Sequence, residues 1–156
     1  MEMADFLTPD RVLLDVRARD KAQLIAEIAR NFARSVPSVE AGAVEGALLA
    51  REELGSTGLG GGFALPHAQI EDLEGYLGLF LRLAKPIDFR AVDGNPVGVV
   101  FALLTPAQLA VSHVSVLATI SRRFRDSGLV EKLHEVKSPG DAYTLLIEGY
   151  STAQVG

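Results

Sequence analysis

Apolar residues recur at helical spacing directly after Asp20, a good capping residue. The stripe consists of Leu24, Ile25, Ile28 and Phe32. This period predicts an amphipathic helix over residues 21–34. Asp20 is its predicted N-cap, with Gln23 three residues further on.

A second helical stripe follows Pro37, which ends the first helix. Its apolar positions are Val44, Ala47 and Leu48. Ser38 is predicted to cap this helix, with Glu40 in its first turn, and Gly55 is predicted to end it.

Two nearly continuous apolar runs, residues 76–83 and 97–104, predict strands that are buried on both faces. Such strands are central in a sheet flanked by helices. Shorter apolar segments predict two further strands, at residues 12–16 and 62–65. Turn residues, Lys85-Pro86 and 93–96, lie between the two long runs. Because this connection is short for a crossover helix, we expect the two strands to be antiparallel and the sheet to be mixed.

Three helices are predicted after the second long run. Ser112 can cap the first, whose apolar face contains Leu117, Ile120 and Phe124. Residues 128–136 form the second. In Ser138-Pro139-Gly140-Asp141, a cap, a proline at the first helical position and a nearby acid predict the start of the last helix. We expect that helix to end near Glu148 and the residues from 149 onward to fray.

Composition limits the class of protein. The 156 residues are expected to form one domain, residues 1–156, and 48% hydrophobic content predicts a globular core. The net charge of −5 at pH 7 argues against nucleic acid as the main partner. The absence of cysteine excludes disulfides and thiolate chemistry. The acidic N-terminus is unlike a signal peptide and no apolar run is long enough for a membrane span, so we expect a cytoplasmic protein without membrane insertion.

The strongest candidate for chemistry is a glycine-rich segment that ends at His67. Five of the fifteen glycines lie between positions 55 and 62. Glycine leaves amide N–H groups uncovered, and successive uncovered amides can bind an anion. Pro66 fixes its own φ and favours an extended Leu65, so His67 is expected at a rigid strand end. A rigid imidazole beside an anion-binding turn suits phosphoryl transfer through histidine.

Arg51 precedes this segment on the apolar stripe of the second helix, while Glu52 and Glu53 fall on the predicted solvent side. In one interpretation, Arg51 lays its aliphatic stem on the core and sends its charge to water. In the other, the guanidinium points across the glycine turn at an anion near His67. The spacing fits both interpretations equally.

The other two histidines are weaker candidates. His113 occupies the predicted first position of a helix. The pattern favours a histidine packed at the rim of the core, but a helix N-terminus would also favour a nearby anion. His134 lies between charged residues and is predicted to be a solvated surface residue.

Other kinds of site lack their motifs. There is no phosphate-binding G-x-x-x-x-G-K-[ST] loop, and Phe63 stands where the last glycine of a G-x-G-x-x-G pattern from Gly58 would be. His67 and His113 supply too few ligands for a zinc site. The G-x-S-x-G elbow of serine hydrolases is absent.

Residues 51–68 resemble the active-site signature of the fructose/mannitol-type enzyme IIA domains of the bacterial phosphoenolpyruvate-dependent phosphotransferase system. The matching stretches are Gly55-Ser56-Thr57-Gly58-Leu59-Gly60 and Ala64-Leu65-Pro66-His67-Ala68. The similarity extends over nearly the whole chain, and its supporting matches are Lys21, 86–89, 101–104 with Pro106, and Ser112-His113. Within this group, the chain looks most like the free-standing nitrogen-related regulatory enzyme IIA.

The resemblance implies an α/β fold with three α/β/α layers around a mixed sheet. It implies that a phosphocarrier protein of the HPr type phosphorylates His67, and that the residues matching His113 and Arg51 hold the phosphoryl group. The turn residues Gly55, Ser56, Thr57, Gly58 and Gly60 are then candidates for phosphate binding. No metal or cofactor is implied. The output is either a contact with regulatory protein targets or transfer of the phosphoryl group to a IIB domain.

Overall fold

The computed structural model describes residues 2–107 and 113–155. In those residues the chain forms six strands and five α-helices, with short 3-10 turns at Met3–Asp5 and Pro9–Arg11. The strands are β1 (Val12–Val16), β2 (Gly58–Gly60), β3 (Phe63–Ala64), β4 (His67–Ile70), β5 (Leu77–Ile87) and β6 (Val97–Pro106). The helices are α1 (Lys21–Ser35), α2 (Ala41–Leu54), α3 (His113–Arg125), α4 (Ser127–Glu135) and α5 (Pro139–Val155).

The strands form one mixed, open sheet in the order β1-β5-β6-β3-β2, with β4 also paired to β6. β5 and β6 are antiparallel, as predicted, while β1 runs parallel to β5. The predicted turn at Lys85-Pro86 is wrong, because both residues continue β5 as exposed positions. The register of β5 against β6 shifts between Arg82 and Ile87, which accommodates the proline within the strand.

The two central strands separate two helical layers, so the predicted α/β/α arrangement is confirmed. Side chains that alternate along β5 and β6 face opposite sides of the sheet. Leu79, Leu81 and Ala102 pack with α1 and α2. Phe80, Phe101 and Leu103 pack with α3, α4, α5 and the N-terminal turn.

Helix starts agree with the sequence where a side chain caps the backbone. The Asp20 carboxylate accepts a hydrogen bond from the Gln23 amide at 2.8 Å, and the Ser138 hydroxyl accepts one from the Asp141 amide at 3.1 Å. The prediction of Ser38 as a cap is wrong: Glu40 occupies the N-cap position of α2 and makes no capping hydrogen bond.

The C-terminal helical region ends later than predicted. The predicted cap Ser112 lies outside the described residues. At the other end, α5 continues past the predicted end near Glu148 as far as Val155.

The segment from β2 to β4 follows one edge of the sheet. β2 and β3 are antiparallel, and both β3 and β4 run parallel along β6 on the same side. Leu65-Pro66 interrupts this edge, with the Pro66 carbonyl accepting a hydrogen bond from the Leu103 amide at 2.9 Å. His67 therefore begins β4, whereas the sequence placed it at the end of a strand.

Gly58 is fixed by close packing. A Cβ atom there would lie 2.8 Å from Cβ and 2.9 Å from Cα of Ala91. We predict that Gly58→Ala lowers the free energy of unfolding by about 1–3 kcal/mol, because the backbones would have to separate. Gly46→Ala is the control: its Cβ would meet nothing within 4 Å, and alanine should stabilise α2 by about 0.5–1 kcal/mol. Urea unfolding of both variants measures the difference, and equal stabilities would contradict it.

Candidate functional site

A cleft of about 660 Å³ opens where the C-terminal end of α2 and the N-terminal end of α3 meet over β4. Its lining combines His67 with residues of both helices: Ala47, Ala50, Arg51, Leu54, His113, Val114 and Leu117. A second cavity of about 330 Å³ continues from Arg51 and His67 toward the glycine turn. Leu54 and Val114 stand on opposite walls and are 85% and 76% exposed. The structure thus brings His67, Arg51 and His113 to one cleft with an apolar rim.

The His67 ring is held by the backbone just before it. Its Nδ1 lies 2.8 Å from the Leu65 carbonyl oxygen. A carbonyl only accepts, so Nδ1–H is the donor, and the neutral ring keeps its lone pair on Nε2. Side-chain alternation along β4 puts His67 on the opposite face from the buried Ala68, towards α3. Nε2 is consequently the atom able to act as a nucleophile.

The environment of His67 favours the neutral imidazole. Burial lowers its pKa most, the hydrogen bond to the Leu65 carbonyl raises it, and Arg51 lowers it further. Glu52 acts in the opposite direction and raises the pKa. The net result is a pKa below the ordinary value of 6.5. A neutral, partly buried imidazole near pH 7 is suited to nucleophilic attack.

Arg51 reaches the cleft from the last turn of α2. Its guanidinium donates a hydrogen bond to the Gly55 carbonyl at 3.0 Å, which ties the helix end to the start of the glycine turn. Arg51 lines both cavities together with His67. The side chain is half-buried, so its charge faces the cleft without being enclosed in the core.

His113 is buried at the start of α3, with 5% exposure. Its Nε2 lies 2.7 Å from the Pro106 carbonyl, which identifies Nε2–H as a donor, and Nδ1 lies 3.1 Å from the Tyr76 hydroxyl. The Tyr76 ring also contacts the imidazole edge to face, with 5.5 Å between centroids. His113 therefore lines the His67 cleft while both of its nitrogens have protein partners.

Three amides of the glycine turn have hydrogen-bond partners inside the protein. The Gly55 amide donates to the Glu52 carbonyl, the Thr57 amide to the Glu52 side chain, and the Gly58 amide to the Ser56 hydroxyl. The expectation that these amides are uncovered is therefore wrong for this arrangement of the turn. Phosphate binding by the turn residues stays a prediction, and contacts through these three amides require the turn to change its internal bonds.

Glu52 is the residue that the sequence analysis misplaced. Its side chain is 5% exposed and not on the solvent side. It accepts from Lys21 Nζ at 2.9 Å, from the Thr57 amide at 3.2 Å and from the Thr57 hydroxyl. Helical periodicity could not reveal this role, because it depends on Lys21 and Thr57 lying beside the carboxylate in the folded protein.

The third histidine, His134, is exposed, as predicted. Among residues 2–107 and 113–155 there is no group of three His, Asp or Glu side chains placed to hold a metal ion. Within the same residues, no helix combines the length and apolar character needed to cross a membrane.

Comparison with known proteins identifies the class. The family model described as "Phosphoenolpyruvate-dependent sugar phosphotransferase system, EIIA 2" matches residues 5–149. The chain belongs to this family of phosphotransfer proteins.

Within the family, the chain is similar to proteins named as nitrogen regulatory proteins. It is 37% identical to the one from Bradyrhizobium diazoefficiens over 153 residues, covering 98% of this chain and 99% of the relative. It is 31% identical to the one from Pseudomonas aeruginosa over 148 residues, covering 95% of this chain and 96% of the relative.

Solved structures give the same result. The nitrogen regulatory protein IIA-Ntr from Neisseria meningitidis superposes with a TM-score of 0.86 at 33% identity, covering 92% of this chain and 98% of that structure. IIA mannitol from Escherichia coli superposes with a TM-score of 0.72 at 21% identity, covering 87% of this chain and 96% of that structure. The second likeness shows a shared fold.

The direction of the pKa shift of His67, and the part of it caused by Arg51, can be tested. We predict a ring titration midpoint below 6.5 by NMR and a higher midpoint in Arg51→Gln, because the arginine charge disfavours the imidazolium. Arg17→Gln, at the opposite end of the sheet, is the control. A midpoint that does not move in Arg51→Gln would contradict the assigned cause.

The free energy of unfolding should depend on pH, because the pKa of His67 is lower in the folded state than in the unfolded chain. The unfolded chain takes up the His67 proton at a higher pH than the native state does. Stability from this group is therefore complete above pH 6.5 and is lost as the pH falls through the lower native pKa. In His67→Gln this part of the acid sensitivity should disappear from urea unfolding measured at several pH values.

Proposed function

We propose that residues 1–156 act as one enzyme IIA type 2 domain of the nitrogen-regulatory kind, which carries a phosphoryl group on Nε2 of His67. The observation that carries this proposal is the 2.8 Å contact of Nδ1 with the Leu65 carbonyl, which leaves the Nε2 lone pair at a cleft beside Arg51. The proposed donor is a phosphocarrier protein of the HPr type, and membership of the phosphoenolpyruvate-dependent family supports this choice. Because that donor is charged from phosphoenolpyruvate, we place the reaction in the cytoplasm.

The transfer of the phosphoryl group from donor to His67 requires no further reactant. Nε2 of His67 forms a bond to phosphorus as the bond between phosphorus and the donor's imidazole nitrogen breaks, and its electron pair returns to the donor ring. The His67 ring gains positive character, which the hydrogen bond from Nδ1–H to Leu65 stabilises. Transfer of this type depends on positioning and electrostatics more than on covalent help from the protein.

Arg51 and His113 are proposed to stabilise the phosphoryl oxygens. The guanidinium of Arg51 presents several donors in a planar fork and can exchange its bond to Gly55 for a phosphoryl oxygen. His113 can do so only by giving up its bond to Pro106 or to Tyr76. In the proposed site, Arg51 is therefore the primary anion partner, and Ser56, Thr57 and the turn glycines shape the pocket around it.

The relatives favour a regulatory output. Full-length relatives at 31–37% identity are named nitrogen regulatory proteins. The alternative is transfer to a IIB domain, as in sugar transport. A complex of IIA mannitol with phosphorylated IIB mannitol from Escherichia coli has been solved, but that IIA is 21% identical to this chain. Labelled phospho-protein mixed with a purified IIB domain tests this alternative, and rapid transfer would favour it.

Phosphorylation itself is tested by reconstitution. Incubation with phosphoenolpyruvate, enzyme I and an HPr-type protein should give an acid-labile adduct on the wild type, and ring NMR should place it on Nε2. His67→Ala should abolish the adduct, whereas His134→Ala, at an exposed site away from the cleft, should keep it. Labelling of His67→Ala, or an adduct on Nδ1, would refute the assignment.

The two supporting residues should differ in their effects. Arg51→Ala is expected to slow transfer about ten- to a hundredfold while the domain stays folded, since charged hydrogen bonds contribute about 1.5–3 kcal/mol. His113→Ala should also lower stability, because it empties a buried site and leaves the Pro106 carbonyl without that donor. Single-turnover rates with melting curves separate the two. Normal rates in a destabilised His113→Ala would assign that histidine to the core alone.

A further inference from the structure

Four hydrogen bonds connect a buried carboxylate to the reactive histidine. The Glu52 side chain accepts from the amide and the hydroxyl of Thr57, which is 2% exposed. The Thr57 carbonyl accepts from the Leu65 amide at 2.9 Å, and the Leu65 carbonyl accepts from His67 Nδ1 at 2.8 Å. Each bond fixes the backbone unit that makes the next one.

The carboxylate end of this series is itself anchored. Lys21 Nζ lies 2.9 Å from Glu52 Oε1 and 4.3 Å from the centroid of the Phe89 ring. The Phe89 carbonyl accepts from the Ser56 hydroxyl, which accepts in turn from the Gly58 amide. The start of α1 and the β5–β6 connection therefore hold the glycine turn from two sides.

We propose that Glu52 is a positioning residue for His67: its carboxylate holds Thr57 so that the Leu65 carbonyl selects the Nδ1–H tautomer and leaves Nε2 as the nucleophile. This inference rests on the proposed phosphoryl transfer for its functional meaning. Its structural content, the tautomer of His67, is independent of any donor protein.

The negative charge of Glu52 is needed for this arrangement. A carboxylate has two acceptor oxygens, which serve the Thr57 donors and the Lys21 ammonium together. A glutamine of the same shape can keep its one acceptor oxygen on Lys21 and the Thr57 amide and turn its NH₂ group to the Thr57 hydroxyl, which then accepts. The neutral amide oxygen accepts more weakly than a carboxylate and leaves the Lys21 ammonium without its counter-ion, so the substitution loosens the hold on Thr57.

The first test compares Glu52→Gln with Glu53→Gln, an exposed neighbour on the same helix. The ¹⁵N shifts of the His67 ring, measured well above its pKa, report the tautomer. We expect the Nδ1–H form to lose population in Glu52→Gln only. The transfer rate from the HPr-type donor should fall about tenfold with little change in the KM for that donor, because Glu52 is not part of the apolar rim.

A second pair of variants protects the test against a folding defect in Glu52→Gln. Thr57→Ser keeps the hydroxyl that donates to Glu52, and Thr57→Val removes it with almost no change of shape. We expect wild-type tautomer and rate in Thr57→Ser, and the Glu52→Gln pattern in Thr57→Val. Melting curves identify variants that are folded under the conditions of the NMR measurement.

The two proposals fail in different ways. A wild-type tautomer of His67 in folded Glu52→Gln or Thr57→Val overturns the positioning role, even if transfer is slow. Wild-type protein that accepts no phosphoryl group on His67 overturns the proposed function, while the tautomer shift in Glu52→Gln would still establish the positioning role. Equal changes of tautomer and rate in Glu52→Gln and Glu53→Gln would mean that any loss of negative charge on α2 has this effect, and they would overturn the inference.

Discussion

Every residue of β6 is buried, and the rest of the structure depends on covering it. A strand with apolar side chains on both faces is stable only between two helical layers. Its backbone is also the template for the site: its two edges pair with β5 and with the interrupted β3–β4 segment. The bond from the Leu103 amide to the Pro66 carbonyl fixes the point at which β4 begins to pair with that edge, at His67. Core burial and site geometry are thus consequences of the same strand.

Two consecutive residues at the end of α2 act on His67 in opposite directions. Arg51 lowers the histidine pKa and Glu52 raises it. Their side chains diverge, one to the open cleft and one into the turn, where the carboxylate has Lys21 as its ion-pair partner. The imidazole is therefore neutral mainly because of burial, with the neighbouring charges adjusting the balance. Because Lys21 pairs with Glu52, an anion can bind to Arg51 without leaving the buried carboxylate of Glu52 uncompensated.

Sequence patterns predicted what depends on repeated apolar burial. The two long strands, the amphipathic helix after Asp20 and the start of α5 at Pro139 follow from periodicity and capping, and the structure confirms them. The glycine-rich segment drew attention to His67, which the structure places in one cleft with Arg51 and His113, and the role of that cleft stays a prediction. Ser38 failed as a cap because α2 starts later than the proline break suggested. Glu52 could not be predicted, because its burial depends on Thr57 and Lys21 reaching it from separate parts of the chain.

The exposed rim formed by Leu54 and Val114 has a consequence for recognition if His67 is phosphorylated as proposed. Without a phosphoryl group, an approaching surface meets apolar side chains, a neutral imidazole and the positive charge of Arg51. A phosphoryl group on the imidazole would add about two negative charges between the residues of this apolar rim. Arg51 would offset about one of these charges, and a partner that buries the rim would have to supply a further cation or desolvate the remaining charge. The same backbone thus offers two surfaces of opposite solvation, and discrimination between them requires no movement of the fold.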